Sequence, residues 1–140
     1  NTWGLLAPKP LGVFRYRLLS LKPPQIFALL LRTCLLAAEE VLKLKEELPA
    51  ILLVATVPYR EQNERWGANQ KKRYLEILEK VDDVIVLSEH YYNGCFLKRN
   101  DFMLDHVAAL LAYFDGKPKG GTFYTVRNAR RLGLQISNLF

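Results

Sequence analysis

Cysteine and histidine are scarce in this chain of 140 residues. Its two cysteines are Cys34 and Cys95, its two histidines are His90 and His106, and no CxxC or other metal-ligand spacing joins them. Structural zinc sites and disulfide frameworks of small secreted domains need more ligands or more cysteines than this. We therefore predict no metal site, and two reduced thiols rather than a disulfide.

Long hydrophobic runs are also missing. The most apolar stretch, Ile26 to Ala38, covers about 13 residues and contains Arg32, whereas a transmembrane helix needs about 20 apolar residues. The stretch continues directly into an acidic segment, which is not the pattern of a secretory signal peptide. We expect a cytoplasmic protein that has no membrane partner.

Acidic residues are absent from residues 116–140, although the formal charge of the whole chain is only +6. The basic residues of this segment are Lys117, Lys119, Arg127, Arg130 and Arg131. A basic segment beside glycines suits a phosphate-bearing ligand or a nucleic acid. A solvated helix face is the alternative, and the sequence leaves both open.

The composition is that of a globular protein. Hydrophobic residues make up 50% of the chain and charged residues 24%, and no segment is of low complexity. The length suits one domain with a real core, so we expect residues 1–140 to form a single domain.

From residue 50 onward, short apolar runs alternate with amphipathic stretches. The runs predict strands over Ala50–Val57, Val84–Leu87, Ala108–Phe114 and Leu134–Leu139. The amphipathic stretches predict helices over Asn69–Val81, Leu97–Val107 and Thr122–Leu132, the last ended by Gly133. This alternation is typical of βαβ units. The predicted fold class is therefore α/β, a Rossmann-like three-layer fold with a mostly parallel sheet and flanking helices.

The first third of the chain is less regular, because four prolines interrupt it. Phe14, Tyr16 and Leu18 alternate with arginines and are compatible with one edge strand. Residues 26–48 form either one long helix or a short strand through Leu31 followed by a helix capped at Thr33. The sequence does not decide between them.

The segment Gly116 to Thr122 (GKPKGGT) follows a predicted strand and opens a predicted helix. Parallel α/β folds hold phosphates at such positions, since glycines allow close approach and a helix N-terminus favours an anion. Thr122 is predicted to cap the helix and to offer its hydroxyl to the ligand. A plain tight turn is the alternative.

Three segments in this order resemble the SLOG superfamily, and more narrowly its YpsA/YspA-like branch. They are PYREQNERW (Pro58 to Trp66), LSEHYYNGCFLKRNDFMLDH (Leu87 to His106) and FDGKPKGGTFYTVRNARRLGL (Phe114 to Leu134). The resemblance covers the chain from about Thr33 onward. It implies a Rossmann-like domain that binds a nucleotide or a nucleotide-derived ligand such as ADP-ribose.

The resemblance also implies a set of ligand-binding residues. Gly120, Gly121 and Thr122 would hold a phosphate, and Thr125 lies in the next helical turn. Arg99 and Asn100 would contribute to the pocket, while Pro58, Gln62 and Trp66 would line its rim. An arginine can bind phosphate bidentately and a tryptophan can stack on a base. The alternatives are a packing role for Trp66 and a surface ion pair between Arg99 and Asp101 or Asp105.

The first third departs from the family pattern. Residues 1–25 contain no Gly-His-Arg-Pro turn, and LLLRTC stands at residues 29–34, where a glycine-rich loop ending in Gly-x-Asp is expected. The sequence Leu35 to Glu39 (LLAAE) matches the family's Ala-Ala-Glu helix. Residues 1–32 are therefore interpreted as a divergent or incomplete first portion of the domain.

Enzymatic SLOG proteins, the phosphoribohydrolases, place a glutamate one turn after their glycine loop. Here that turn is Phe123 to Arg127 and has no carboxylate; the candidate acids elsewhere in the sequence are Asp115 and Glu89. The leading hypothesis is therefore binding or sensing of a phosphorylated nucleotide-derived ligand, without catalysis. The alternatives are a single-stranded DNA-binding protein, a phosphoribohydrolase-like enzyme, and a degenerate interaction-only domain that forms a homo-oligomer.

Overall fold

The computed structural model describes the backbone of residues 25–29 and the whole of residues 35–140. The chain divides into two compact units, a first unit that ends at His90 and a second unit that spans Tyr91–Phe140. The elements of the first unit are β1 (Gln25–Leu29), α1 (Leu35–Glu47), β2 (Leu52–Val57), α2 (Ala68–Lys80) and β3 (Asp83–Val86). Those of the second unit are α3 (Cys95–Leu104), β4 (Ala109–Ala112), α4 (Gly120–Arg131) and β5 (Gln135–Asn138).

The first unit contains a parallel sheet with the strand order β1-β2-β3. Ile26 pairs with Leu53 on one side of β2, and Val54 pairs with Asp83 on the other. Because β2 is central, five of its six residues are buried, which explains its unbroken apolar sequence. The connections through α1 and α2 make two βαβ units, and the two helices pack against each other.

The core of the first unit lies between β2 and these helices. Its buried members are Leu35, Ala38, Leu53, Ala55, Val57, Tyr74, Ile77 and Leu78. The α2 members follow the i, i+3, i+4 spacing of one helix face. Full burial of a large apolar side chain contributes about 1.5–3 kcal/mol relative to exposure, so this cluster supplies most of what holds the helices on the sheet.

The carboxylate of Asp82 ties the turn before β3 to two other elements. One oxygen accepts a hydrogen bond from the backbone N–H of Leu53 at 2.8 Å, and the other pairs with the ammonium of Lys45 on α1. A second pair joins the helices, since the Arg73 guanidinium donates two hydrogen bonds of 2.7 Å to Glu39. These contacts fix α1 to the turn before β3 and α2 to α1.

The second unit contains a two-stranded parallel sheet in which Leu110 pairs with Ile136. α4 is the connection between β4 and β5, and α3 packs on α4. The amide of Asn138 accepts from Phe114 N and donates to Phe114 O, both at 2.9 Å. A side chain thus continues the hydrogen-bonded pairing beyond the end of β4.

The α/β class with parallel strands and flanking helices is confirmed, and so is the type of each element predicted from residue 50 onward. The boundaries differ: α3 begins two residues before the predicted Leu97, and β4 is confined to Ala109–Ala112. Gly133 ends α4 in the left-handed region, with φ at +72°. The single-domain organisation stays a prediction.

For residues 26–48, the structure agrees with the alternative of a short strand followed by a helix and not with one long helix, because β1 and α1 are separate elements. Pairing with β2 satisfies the backbone of β1 in a sheet, and tertiary pairing of this kind overrides helix propensity. The Thr33 cap, Cys34 and the edge strand at Phe14, Tyr16 and Leu18 lie outside the described residues. Within the described ranges, none of the helices has both the length and the apolar character needed to cross a membrane.

Candidate functional site

Helix α4 begins earlier than the sequence predicts. Its N-cap is Lys119, whose backbone is extended, and the helix starts at Gly120. Gly120 has φ at +86°, a conformation that glycine adopts without the usual steric penalty, so the chain enters the helix two residues sooner. The prediction of Thr122 as the N-cap is therefore wrong; Thr122 is an exposed residue of the first turn.

The start of α4 is open to solvent. A Cβ atom built on Gly120 or Gly121 would meet no atom within 4 Å, and no side chain caps the helix. The first turn contains no acidic residue, and Lys119 has no ion pair within residues 35–140. The unbonded N–H groups of a first helical turn, together with the helix dipole, favour an anion.

A chain of hydrogen bonds runs beneath this turn. Arg99 Nε donates to Asn100 Oδ1 at 3.1 Å, and Asn100 Nδ2 donates to Thr125 Oγ1 at 3.0 Å. Thr125 Oγ1 in turn donates to the carbonyl oxygen of Gly121 at 2.9 Å. Four of the predicted site residues are thus brought together: Arg99, Asn100, Thr125 and Gly121.

The three side chains that form these hydrogen bonds are buried, so the hydrogen bonds are not surface contacts. The exposed fractions are 1% for Arg99, 6% for Asn100 and 8% for Thr125. Arg99 lies one helical turn after Cys95 on the buried face of α3, and its guanidinium lies 5.7 Å from the centre of the Phe96 ring. The alternative of a surface ion pair for Arg99 is therefore wrong, because the side chain is buried.

A second polar contact between α3 and α4 was not predicted from the sequence. Both carboxylate oxygens of Asp101 lie 3.0 Å from the Tyr124 hydroxyl, and Asn128 Nδ2 lies 3.4 Å from one of them. Tyr124 and Asn128 are one helical turn apart, so they share a face of α4. The sequence signal for this contact is a polar i, i+4 pair on one predicted helix together with an acidic residue on the helix that precedes it.

The predicted rim residues Pro58, Gln62 and Trp66 belong to the first unit. Pro58 directly follows β2 and is buried. The Trp66 ring packs edge-on against Tyr74 with 5.1 Å between ring centroids, which gives Trp66 the packing role considered from the sequence. Burial raises the pKa of Tyr74 to about 12, and the neighbouring Gln62 side chain opposes the shift.

The two carboxylates considered as possible general bases, Asp115 and Glu89, each have a basic partner. Arg60 donates hydrogen bonds of 2.7 and 2.8 Å to the two oxygens of Glu89, and these hydrogen bonds hold the pKa of Glu89 below its ordinary value. Asp115 lies 3.2 Å from the Lys117 ammonium. Both carboxylates are therefore engaged by basic side chains.

Residues 35–140 contain an open groove in the first unit and no cluster of metal-ligating residues. No group of three or more His, Cys, Asp or Glu residues comes close enough to hold a metal ion. An open groove of about 530 Å³ lies between α1 and α2, and it is lined by paired charges such as Arg73 and Glu39. None of the predicted site residues lines that groove.

The sequence of this chain is similar to those of several bacterial proteins. The chain is 33% identical over 94 residues to a UPF0398 protein from Bacillus pumilus (strain SAFR-032), covering 66% of this chain and 50% of that protein. It is 32% identical over 104 residues to a UPF0398 protein from Bacillus cereus (strain B4264), covering 73% and 56%. An uncharacterized SPbeta prophage-derived protein, YoqJ, from Bacillus subtilis (strain 168) is 31% identical over 110 residues, covering 69% and 64%.

The chain thus spans about half the length of the UPF0398 relatives that it matches. The family model described as the YspA SLOG family matches residues 32–136, a range that begins after β1 and ends within β5. The matched range contains every site residue predicted above. On this match, the chain belongs to the YspA SLOG family.

Proposed function

We propose that the second unit binds a phosphorylated nucleotide-derived ligand, with the phosphate at the first turn of α4. The observation that carries the proposal is the buried hydrogen-bonded chain from Arg99 through Asn100 and Thr125 to Gly121 O. A buried arginine and amide are costly to desolvate, and here they support the backbone of a turn that is itself open to solvent. Support of this kind preorganises backbone N–H groups for an anion.

The electrostatics of the turn favour a phosphate over a neutral ligand. The helix dipole places partial positive charge at Gly120 and Gly121, and the exposed Lys119 adds a full positive charge next to them. No acidic residue of α4 opposes it. A phosphate would therefore gain both hydrogen bonds and charge neutralisation, as at other helix N-termini.

The proposed activity is binding, without turnover of the ligand. The turn that follows the glycines contains no carboxylate, and hydrolysis of a glycosidic bond requires a positioned acid or base. We also propose that the protein is cytoplasmic. We expect a bound nucleotide or ADP-ribose to be recovered unchanged after prolonged incubation.

The first experiment is a thermal-shift screen with nucleotides, cyclic nucleotides, NAD, ADP-ribose and ribose phosphates. A ligand that binds only the folded state stabilises it by about 2.7 kcal/mol at one hundred times its Kd. The hit is then titrated by calorimetry against Gly121→Glu, which adds a negative charge at the first turn. Because a side chain at Gly121 meets no neighbouring atom, this variant should fold and lose the thermal shift.

Gly67→Glu is the matched control. Gly67 is the N-cap of α2, has no side-chain cap bond, and has no atom within 4 Å of a built Cβ. The same substitution therefore changes charge at another helix start without steric conflict. Equal ligand affinity in Gly121→Glu and Gly67→Glu would contradict the site, and the absence of a shift with any compound would contradict the ligand class.

A further inference from the structure

One face of α4 combines arginines with aromatic rings. We call it the α4 arginine face; its members are Phe123, Tyr124, Arg127, Arg130 and Arg131. The i, i+3, i+4 and i+7 spacings place these residues on one side of the helix. The buried residues of the helix are Thr125, Val126, Asn128 and Ala129. The three arginines therefore lie on the side of α4 that is turned away from the core of the second unit, and Tyr124 lies at the edge of this side, next to Asp101.

The three arginines of this face are exposed. Within the described ranges, none of them has a carboxylate within 4 Å, although other basic residues of the chain, such as Arg60 and Arg73, are paired with glutamates. No acidic residue occurs after Asp115 in the sequence. The face thus carries three positive charges that no neighbouring side chain neutralises.

Arg127 is oriented by the two aromatic residues. Its guanidinium carbon lies 5.4 Å from the centre of the Phe123 ring and 5.7 Å from that of Tyr124. The Tyr124 hydroxyl is itself bonded to Asp101, so the ring that supports Arg127 is fixed to α3. Two cation–π contacts restrict a long side chain, and this lowers the entropy lost when its guanidinium binds a phosphate.

The α4 arginine face is long enough to contact more than one phosphate. The face runs from Phe123 to Arg131, a distance of about 12 Å along the helix. Nucleic-acid strands carry a phosphate about every 3.4 Å along a stacked strand, so about three successive phosphates can lie along it. A single phosphate at the helix N-terminus leaves these three arginines without a partner.

We infer that the α4 arginine face binds the backbone of a single-stranded nucleic acid. Three exposed guanidiniums provide charge complementarity to successive phosphates. The aromatic rings and the guanidinium of Arg127 offer stacking surfaces for bases, which are available in a single strand and are hidden within a duplex. This inference does not rest on the ligand proposed for the glycine turn, because it uses other residues.

The test is fluorescence anisotropy of a labelled 20-nucleotide oligo-dT titrated with the whole chain at several salt concentrations. For about three phosphate contacts, the logarithm of the binding constant falls against the logarithm of salt with a slope of about −2. Binding should therefore weaken roughly twentyfold between 50 and 200 mM salt. The variant R127Q/R130Q/R131Q should lose most of this salt dependence and bind at least tenfold more weakly at 50 mM.

The matched control is K71Q/K80Q/K98Q, which removes the same number of positive charges from α2 and α3. None of these lysines has an ion pair among the described residues, so the control should keep the slope of the unmodified protein. The inference is overturned if the oligonucleotide does not bind at 50 mM salt, or if both variants lose affinity equally. It is also overturned if a duplex of the same length or anionic lipid vesicles bind more tightly than the single strand.

Discussion

Replacing Thr125 by valine tests whether the buried hydrogen-bonded chain holds the start of α4. Valine keeps the shape of threonine but removes the hydroxyl that accepts from Asn100 Nδ2 at 3.0 Å and donates to Gly121 O at 2.9 Å. Gly121 is exposed, so its carbonyl can bond to water, but the Asn100 side chain is 6% exposed and its amide N–H is left unsatisfied. An unsatisfied buried donor costs about 1–3 kcal/mol.

Thr125→Ser separates this effect from packing, because it keeps the hydroxyl and loses one methyl group, worth about 0.8 kcal/mol. We expect the urea midpoint to fall by about 0.5–1.5 M in Thr125→Val and by less in Thr125→Ser. The nucleotide-type ligand found in the screen should bind Thr125→Ser normally and Thr125→Val more weakly. A serine variant as unstable as the valine variant would refute the reasoning, since the methyl group and not the hydroxyl would then matter.

Two further predictions concern pH. Burial raises the pKa of Tyr74 from 10.0 to about 12, so the stability linked to its proton is complete below pH 10.0 and is lost between 10.0 and about 12. This loss, roughly 2–3 kcal/mol, should disappear in Tyr74→Phe when urea midpoints at about pH 9 and pH 11.5 are compared. Hydrogen bonds from Arg73 lower the pKa of Glu39 from 4.5, so the stabilisation by this pair is present above pH 4.5 and is lost as pH falls through the lowered value. The difference in stability between the unmodified protein and Arg73→Gln should therefore narrow between pH 7 and about pH 3, and a difference independent of pH would contradict the role of Glu39.

Sequence periodicity predicted those elements whose hydrophobic pattern directly reflects which of their sides are buried. β2 is an unbroken apolar run because it is central in its sheet, and α2 shows one apolar stripe because one side faces that sheet. The division of residues 26–48 into a strand and a helix could not be predicted, since an apolar run of that length suits either. Only the pairing of β1 with β2, which depends on distant residues, decides it.

Only part of the candidate site could be predicted from the sequence, for a similar reason. The glycines were identified from their position between a predicted strand and a predicted helix, and Arg99 was identified through a family resemblance. The hydrogen-bonded order from Arg99 to Gly121, however, depends on how α3 packs against α4. The N-cap of α4 was mispredicted because threonine is favoured at that position, while the positive φ of Gly120 begins the helix earlier. Cap preferences are local, whereas the entry of a chain into a helix also depends on the loop before it.

The absence of a side-chain cap on α4 does not by itself identify a ligand site, because α2 and α3 also begin without one. What distinguishes α4 is that its first turn is held from below by buried polar groups and is flanked by Lys119. The Gly67 and Gly121 variants therefore share an uncapped helix start and differ in this support. If only Gly121→Glu loses the ligand, the ligand binds at the start of α4 and not at uncapped helix starts in general, as expected if the buried hydrogen-bonded chain and the lysine contribute to the site.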